Sequence, residues 1–409
     1  MKNFAVISAA LLLCCQGCYF FELNPVSGSP RRESAVRPER HFDDGDCFGG
    51  DTAILASAVI VDTSYNWRRD SICGLQDATI ALFRNSKMIL SFRSGLASEV
   101  SADYDTHHII GGHLFTEFSG AAETVIKCDG NEVLRFAGRE FLKGLVSDGD
   151  NIFTLGQRRD SDGFCLRENG TVVFSRDKGK IHGDFQDCSY GETGALYRSG
   201  GRICFCYSDG TEAYSIMDGI VRKEEMDRGC TRIDDMKTDG ENVRIIAVAS
   251  GGNPLLYING LSSPLEKGLF TSFRNAENQR LFINGDDYSI GGWYGNITES
   301  LSGTYFIDSD MVWHRLSHSP ASIICRNGIF RALETAGGYR LVSEEAEVDD
   351  GEGGCHNMGT KCAALDEEGC PCFGITPRDS TARPFIRIGR SREELDINGY
   401  ISGISTICL

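Results

Sequence analysis

The sequence is poor in proline, in basic residues and in helical periodicity. It has nine prolines against 48 glycines, a balance that suits many tight turns rather than a proline-rich disordered chain. Its formal net charge of −17 argues against a nucleic-acid partner, because such partners are bound by basic surfaces. Apolar residues alternate over short runs, and no long stretch repeats with a helical period. These absences leave an acidic, turn-rich, all-β chain.

The N-terminus also lacks a run long enough to span a membrane. The apolar segment from Phe4 to Leu13 has ten residues, whereas a bilayer core of about 30 Å needs about 20. Lys2 precedes this run and Gly17 precedes Cys18, an order typical of a lipoprotein signal peptide. We predict a signal peptide over residues 1–17, lipidation at Cys18 and an outer-membrane location, with the membrane face undecided. A cleaved signal peptide that yields a soluble periplasmic protein is the alternative.

The next segment, residues 18–46, predicts a flexible tether. Pro25, Pro30 and Pro38 fall within it, and it holds too few apolar residues to offset the entropy of ordering. The folded part is therefore predicted to cover residues 47–409.

Two series of turn dipeptides recur along this folded part. The first comprises Asp148-Gly149, Asp239-Gly240, Asn284-Gly285 and Asn327-Gly328. The second comprises Asn85-Ser86, Asp129-Gly130, Asn169-Gly170, Asp209-Gly210, Asn259-Gly260 and Asp308-Ser309. Asn-Gly and Asp-Gly favour two-residue hairpins because those turns need positive φ. A period of about 40–50 residues with two hairpin turns per unit is typical of four-stranded propeller blades.

The repeats predict an all-β fold, a β-propeller of four-stranded blades. One blade for each turn of the second series, with a further blade from Asn327 onward, makes seven; six or eight blades are the alternatives. The C-terminal strand near Tyr400 to Leu409 is predicted to close the ring against a strand around Ala53 to Val61. Two paired β-sandwich domains are the alternative fold.

Seventeen cysteines are present, and the fourteen that follow Cys18 are an even number, which is compatible with disulfides in an exported chain. Cys204 and Cys206 alternate with apolar residues, so we predict that both pack in the core. A cysteine-rich stretch, residues 344–378, interrupts the repeats and is predicted to be an insertion cross-linked by disulfides. Its candidate cysteines are Cys355, Cys362, Cys370 and Cys372. Metal binding there is the alternative, although the spacing is not a usual zinc pattern.

Catalytic signatures are absent as well. The sequence has no Gly-x-Ser-x-Gly, no His-Glu-x-x-His and no phosphate-binding loop. The paired carboxylates of a glycosidase would come from different blades and leave no local spacing. A non-catalytic role is therefore favoured, and no cofactor is predicted. A carbohydrate-active enzyme, a glycoside hydrolase or lyase with acidic residues in the central channel, is the alternative.

The stretch Leu13-Cys14-Cys15-Gln16-Gly17-Cys18 and the repeat rhythm together resemble β-propeller lipoproteins of Bacteroides-like bacteria. The resemblance implies a lipid-anchored exported propeller that acts as a binding or scaffold module for a protein or a glycan. It covers the leader and the rhythm, and it assigns no functional residues.

Candidate ligand-binding residues are Trp67, beside two arginines, and Trp293 and Tyr294, among glycines, since exposed aromatics in such loops could stack on a sugar or a peptide. Inter-blade packing of these aromatics is the alternative. His107, His108 and His113 predict no shared metal site, because adjacent strand residues point to opposite faces. Two acidic clusters, Asp43 to Asp46 and Asp160 to Asp162, are interpreted as turn chemistry rather than calcium sites.

Overall fold

A computed structural model shows an all-β chain. The chain divides after Asp46, and every described residue belongs to the second unit, Cys47–Leu409. The described residues are 52–61, 78–93, 107–119, 123–148, 151–158, 161–183, 194–199, 201–226, 229–250, 254–265, 274–284, 287–296, 301–307, 313–316, 320–326, 329–334, 340–342, 348–349, 355–356, 363–366, 370–377, 382–388 and 391–408. No helix that could cross a membrane occurs in these segments.

The first half of the chain contains strands β1 (Thr52–Ile60), β2 (Thr79–Arg84), β3 (Lys87–Arg93), β4 (His107–Ile110), β5 (His113–Ser119), β6 (Glu123–Cys128), β7 (Asn131–Ala137), β8 (Glu140–Asp148), β9 (Asn151–Arg158), β10 (Phe164–Glu168), β11 (Thr171–Arg176), β12 (Lys180–Ile181), β13 (Tyr197–Ser199), β14 (Arg202–Asp209), β15 (Glu212–Met217) and β16 (Ile220–Lys223). The second half contains β17 (Cys230–Thr238), β18 (Val243–Ala249), β19 (Pro254–Ile258), β20 (Leu261–Pro264), β21 (Arg274–Asn284), β22 (Asp287–Asn296), β23 (Leu301–Ile307), β24 (Trp313–Leu316), β25 (Pro320–Arg326), β26 (Ile329–Glu334), β27 (Arg340–Val342), β28 (Val348–Asp349), β29 (Cys355–His356), β30 (Ala363–Leu365), β31 (Pro371–Pro377), β32 (Phe385–Ile388), β33 (Ser391–Glu394) and β34 (Gly399–Cys408).

These strands form eight antiparallel sheets. Sheet 1 is β34-β1-β2-β3, sheet 2 is β4 to β7, sheet 3 is β8 to β11, and sheet 4 has β12 and β13 on β14, followed by β15 and β16. Sheets 5, 6 and 7 are β17 to β20, β21 to β24 and β25 to β28; sheet 8 has β29 and β30 on β31, followed by β32 and β33. The prediction of four-stranded propeller blades is confirmed.

The sheets follow one another in a ring. Contacts join β34 to β4, β5 to β8, β14 to β17, β17 to β21, β21 to β25, β25 to β30 and β30 to β34. Sheets 3 and 4 meet through an aromatic cluster in which Phe164 packs edge-on against Phe205 at 6.0 Å. In sheets 1, 2, 3 and 5 the fourth strand is the most exposed, so it lies outermost. The described sheets therefore do not form the two facing layers of paired sandwiches.

Closure of the ring occurs where the sequence predicted it. β34 pairs with β1 from Thr52 opposite Cys408 to Ile60 opposite Gly399, with one bulge at Ser57. Ser57 and Ser402 share a buried hydroxyl hydrogen bond of 3.0 Å across this pair. The last strand of the chain thus supplies the innermost strand of the first sheet.

The eight sheets exceed the seven blades predicted, and eight was one of the alternatives. Strands β28 to β31 lie in residues 344–378, the stretch that its cysteines had set apart. Its one Asp-Gly dipeptide, Asp350-Gly351, belongs to neither turn series. Because the blade count relied on those two series, the sheet built from this stretch was missed.

Both turn series occupy equivalent positions, with one correction. The turns at Asp148, Asp239, Asn284 and Asn327 each lie between the first and second strands of their sheets, as expected. The turns of the second series from Asn85 to Asn259 lie between third and fourth strands, except that Asp209-Gly210 joins β14 to β15. The equivalent turn in sheet 4 is Asp218-Gly219. The turn after Asp308 lies outside the described residues.

A repeated hydrogen-bond arrangement, which we call the Asx clamp, explains the second series. The Asn or Asp has positive φ between 46° and 51°, and its Oδ1 accepts an N–H from the start of the second strand. The clamp residues and the residues that donate to them are Asn85 and Ile54, Asp129 and Leu114, Asn169 and Ile152, Asp218 and Ile203, and Asn259 and Val243. Asn and Asp tolerate this backbone region best among residues with a side chain. Each clamp ties the outer hairpin of its sheet to the second strand.

Candidate docking surface

Seven exposed large apolar side chains lie on the outermost strands of sheets 1 to 5. We call them the outer belt: Met88, Ile89, Val133, Val172, Val173, Ile220 and Leu261. Ile220 and Leu261 are 73% and 78% exposed. Among the side chains whose exposure the structure describes, Phe141 on β8 is the only other large apolar one that is exposed. Single exposed apolar residues are common in proteins, but their recurrence at one place in five successive sheets indicates an interaction surface.

The Asx clamp positions the belt. Each belt residue follows its clamp residue by two to four positions, so it lies at the start of an outermost strand. Strands β3, β7, β11, β16 and β20 each end their sheet in the pairing order, which leaves one edge of backbone N–H and C=O groups without a partner strand. Open edges of this kind can add a further strand.

Outer hairpins of neighbouring sheets contact one another. A β-carbon on Gly130 of sheet 2 would lie 2.7 Å from Cγ of Phe92 in sheet 1, so only glycine fits there. Gly170 of sheet 3 lies against Leu134 of sheet 2, and Gly260 of sheet 5 lies against Glu225 beyond β16. The belt residues are thus carried on hairpins that pack against their neighbours.

The charge of the belt strands is opposite to that of the whole chain. β3, β7, β11, β16 and β20 contain six Lys and Arg residues and one Glu, a net charge of +5, whereas the chain carries −17. Some of these cations are paired at the surface: Arg135 bonds Glu123 and Glu132 at 2.6 and 2.7 Å, and Lys223 bonds Glu212. β33 of sheet 8 is also exposed, but it contains two glutamates and none of the exposed large apolar side chains.

A cleft of about 250 Å³ opens beside the belt between sheets 4 and 5. Residues lining it include Arg202, Ser215, Asp218, Ile220, Arg222 and Glu241. Ile220 belongs to the belt, and Asp218 is the clamp residue of sheet 4. The cleft therefore gives the belt a recess with both charges and an apolar side.

A buried polar cluster joins sheets 4, 5 and 6. Ser208 Oγ lies 2.7 Å from His182 Nε2, and His182 Nδ1 lies 3.7 Å from Asp235 Oδ1. Asp235 accepts the N–H of Leu281 on β21 at 2.7 Å. Burial alone would raise the pKa of Asp235, but His182, the charge of Lys237 and this N–H together hold it below its ordinary value.

Ser208, His182 and Asp235 form a hydroxyl–imidazole–carboxylate series, the arrangement by which enzymes activate a nucleophile. Two observations argue for a structural role instead. The 3.7 Å separation is too long for the hydrogen bond that would orient His182. The three residues are 5%, 2% and 4% exposed, and none of them lines the cleft. The cluster links three sheets near the centre of the ring.

Most sequence-predicted site residues stay untested. Cys18, Trp67, Cys362 and the cluster at Asp43 lie outside the described residues. Trp293 and Tyr294 lie on β22, where their backbones pair with Thr304 and Gly303 of β23. Their side chains lie outside the part of the chain that the structure describes. The residues proposed for ligand binding therefore remain predictions.

The cysteines are placed as follows. Cys355 lies on β29 opposite Pro377, and Cys370 and Cys372 are buried in sheet 8. The proposed disulfides among them remain a prediction. Cys204 and Cys206 are buried without a disulfide, and Cys206 packs in the apolar cluster between sheets 4 and 5, as expected from the sequence.

The three histidines lie on two adjacent strands, β4 and β5. His107 and His108 are both buried in β4. His113 is exposed at the start of β5, and its Nδ1 lies 2.7 Å from Asp129 Oδ2. His113 is near the other two histidines in the sequence, whereas the fold brings it to Cys128 and Asp129, which are 15 and 16 residues away.

No family model and no curated protein matches the chain. Solved structures that resemble it include the dihydro-heme d1 dehydrogenase NirN in complex with DHE, with 8% identity and a TM-score of 0.49 over 86% of this chain and 75% of that one. The computationally designed Ika8 protein has 8% identity and a TM-score of 0.46 over 82% of this chain and 92% of that one. The Dos1 propeller has 10% identity and a TM-score of 0.41 over 81% of this chain and 91% of that one. At these values the likenesses carry no argument about function, and the fold assignment rests on the strand pairing.

Proposed function

We propose that this propeller is a non-catalytic binding or scaffold module, and that its outer belt binds an extended protein segment rich in acidic and apolar residues. The observation that carries the proposal is the recurrence of exposed apolar side chains on open-edged strands in five successive sheets, strands that together carry a net charge of +5. A strand added to one of these sheets would complete its open backbone edge. The apolar residues of the added strand would cover the belt residues there, and its carboxylates would face Lys and Arg.

Three carboxylates that are buried or largely buried support a non-catalytic role. Glu140 is bonded to Arg167 at 2.6 Å, Asp239 to Arg244 at 2.6 Å, and Asp235 to backbone N–H groups. A glycoside hydrolase needs two carboxyl groups free to act on a substrate between them. These three groups are instead engaged in internal contacts.

The test is a selection from a phage-displayed library of random peptides on the immobilised full-length chain. We expect enriched peptides in which Asp or Glu alternates with Val, Ile or Leu. The variant Ile220→Ser with Leu261→Ser should bind the best peptide at least tenfold more weakly, because a buried Leu or Ile side chain contributes about 1.5–3 kcal/mol. Both side chains are highly exposed, so the variant should retain its fold.

The matched control is Phe141→Ser, which removes an exposed apolar side chain from an innermost strand and should leave the affinity unchanged. Enriched peptides without acidic residues, or equal losses in both variants, would contradict the proposal. Binding to vesicles of anionic lipid that is lost in the double variant, without peptide enrichment, would assign the belt to a membrane surface instead.

We also propose that the chain is an exported outer-membrane lipoprotein anchored through Cys18. The order of Lys2, the ten-residue apolar run and Gly17-Cys18 supports this proposal. Cys18→Ala should move the protein from the membrane to the soluble fraction of the cell, as followed by fractionation and immunoblotting. Unchanged retention in the membrane fraction would reject the anchor.

A further inference from the structure

Sheet 2 differs from its neighbours at the Asx clamp. In sheets 3 and 5 the clamp residue also bonds, through two amides, the residue directly before its N–H donor: Asn169 to Asn151 at 2.8 Å, and Asn259 to Asn242 at 2.9 Å. In sheet 2 the same two positions hold Asp129 and His113, joined at 2.7 Å. The amide pairs show that the clamp itself needs neither an imidazole nor a carboxylate.

The residue directly before the clamp residue also differs in sheet 2. Cys128 directly precedes the clamp residue, where sheets 1, 3, 4 and 5 have Arg84, Glu168, Met217 and Ile258. One ligand atom from each of His113, Cys128 and Asp129 lies within 4.8 Å of the others. Sheet 2 alone among these five sheets thus combines a nitrogen, a sulfur and an oxygen ligand at this corner.

The geometry favours cation binding on the solvent side. Asp129 Oδ1 is held by the N–H of Leu114 at 2.9 Å, which orients the carboxylate and leaves Oδ2 toward His113. The His113 side chain is 62% exposed, so a ligand sphere there stays open to water. Burial and the neighbouring Asp129 raise the pKa of the Cys128 thiol to about 11 in the absence of a cation.

We propose that His113, Cys128 and Asp129 form a site for a divalent cation of the zinc type, with water in the fourth position. Imidazole nitrogen, thiolate and carboxylate are all zinc ligands. Metal–ligand bonds of about 2.0–2.3 Å place the ligand atoms of a tetrahedral ion roughly 3.5 Å apart, so the cluster needs small rotamer changes to close. On binding, the thiol proton passes to solvent, and the proton that His113 Nδ1 shares with Asp129 moves to Nε2 of the same neutral ring. The Nδ1–H to Oδ2 hydrogen bond is thereby replaced by two metal bonds, one to Nδ1 and one to Oδ2. The site is independent of the docking proposal.

The test uses the full-length chain, stripped with a chelator and titrated with Co²⁺. We expect tetrahedral d–d bands together with thiolate-to-cobalt charge transfer, and displacement of both by Zn²⁺. His113→Asn with Asp129→Asn installs the amide pair of sheets 3 and 5, so it should keep the fold while binding one Co²⁺ fewer per chain. Cys128→Ser should remove the charge-transfer band.

Controls separate this site from other cysteines in the chain. Cys230→Ser changes a half-buried thiol outside the cluster and should leave the spectrum unchanged. Circular dichroism of each variant checks that the fold persists. An unchanged cobalt stoichiometry in the folded double variant, or a charge-transfer band that survives Cys128→Ser, would overturn the assignment.

Discussion

Deleting residues 399–409 should abolish the cooperative unfolding transition of the ring. β34 is paired with β1 along its length, and its innermost position brings it into contact with β4, β30 and β31. Tyr400, Ile401 and Ile404 are buried, and a β-carbon at Gly399 would overlap the carbonyl of Val59. The deletion opens two sheet contacts and exposes the edge of β1. The expected loss is comparable with the whole stability of a domain, about 5–15 kcal/mol.

Urea unfolding followed by circular dichroism measures this loss. A synthetic peptide of residues 399–409, added in excess, should restore part of the transition because it can pair with β1. A truncated chain that unfolds at the same urea concentration as the full chain would show that the ring does not depend on this closure.

Arg167→Ala should destabilise the protein by about 3–5 kcal/mol, because it leaves a buried carboxylate without its charge partner. Arg167 Nη1 lies 2.6 Å from Glu140 Oε2, and both side chains are under 8% exposed. The guanidinium also stacks 4.1 Å from the Phe136 ring centroid, so sheets 2 and 3 lose a packing contact as well. A β-carbon at Gly156 would overlap Glu140 Oε2, which shows how closely β9 passes the pair.

A second substitution checks the cause. Burial raises the pKa of Glu140 even with Arg167 present, so Glu140→Gln in the Arg167→Ala background should recover part of the stability by removing the unpaired charge. The matched control is Arg135→Ala, which breaks two exposed ion pairs and should change the urea midpoint little. Equal effects of the two Arg substitutions would contradict the argument from burial.

Turn chemistry made much of the fold predictable. Asn-Gly and Asp-Gly marked true hairpins, and the strand near Tyr400 was correctly paired with Ala53 to Val61. Asp209-Gly210 was placed at the wrong end of its sheet because such a dipeptide signals chain reversal without saying which two strands it joins. Only the strand order, set by contacts distant in sequence, identifies Asp218 as the equivalent turn.

The candidate sites were less accessible to sequence reasoning. Val172, Val173 and Phe174 form the same pattern as a buried strand, and it is the outermost position of β11 that exposes the two valines. His113 and Asp129 are 16 residues apart, and pairing among β5, β6 and β7 brings them together. A clue was present in Cys128-Asp129, since Cys128 is the only cysteine beside a turn dipeptide of the second series.

Hydrogen exchange tests the docking claim most directly. The full-length chain should be measured with and without the acidic peptide that the selection enriches most. We predict slower exchange of amides on the outermost strands of sheets 1 to 5, confined to the open edge, because an added strand accepts their hydrogen bonds. Protection confined to other parts of the ring, with exchange on β3, β7, β11, β16 and β20 unchanged, would contradict the assignment of the outer belt as the binding surface.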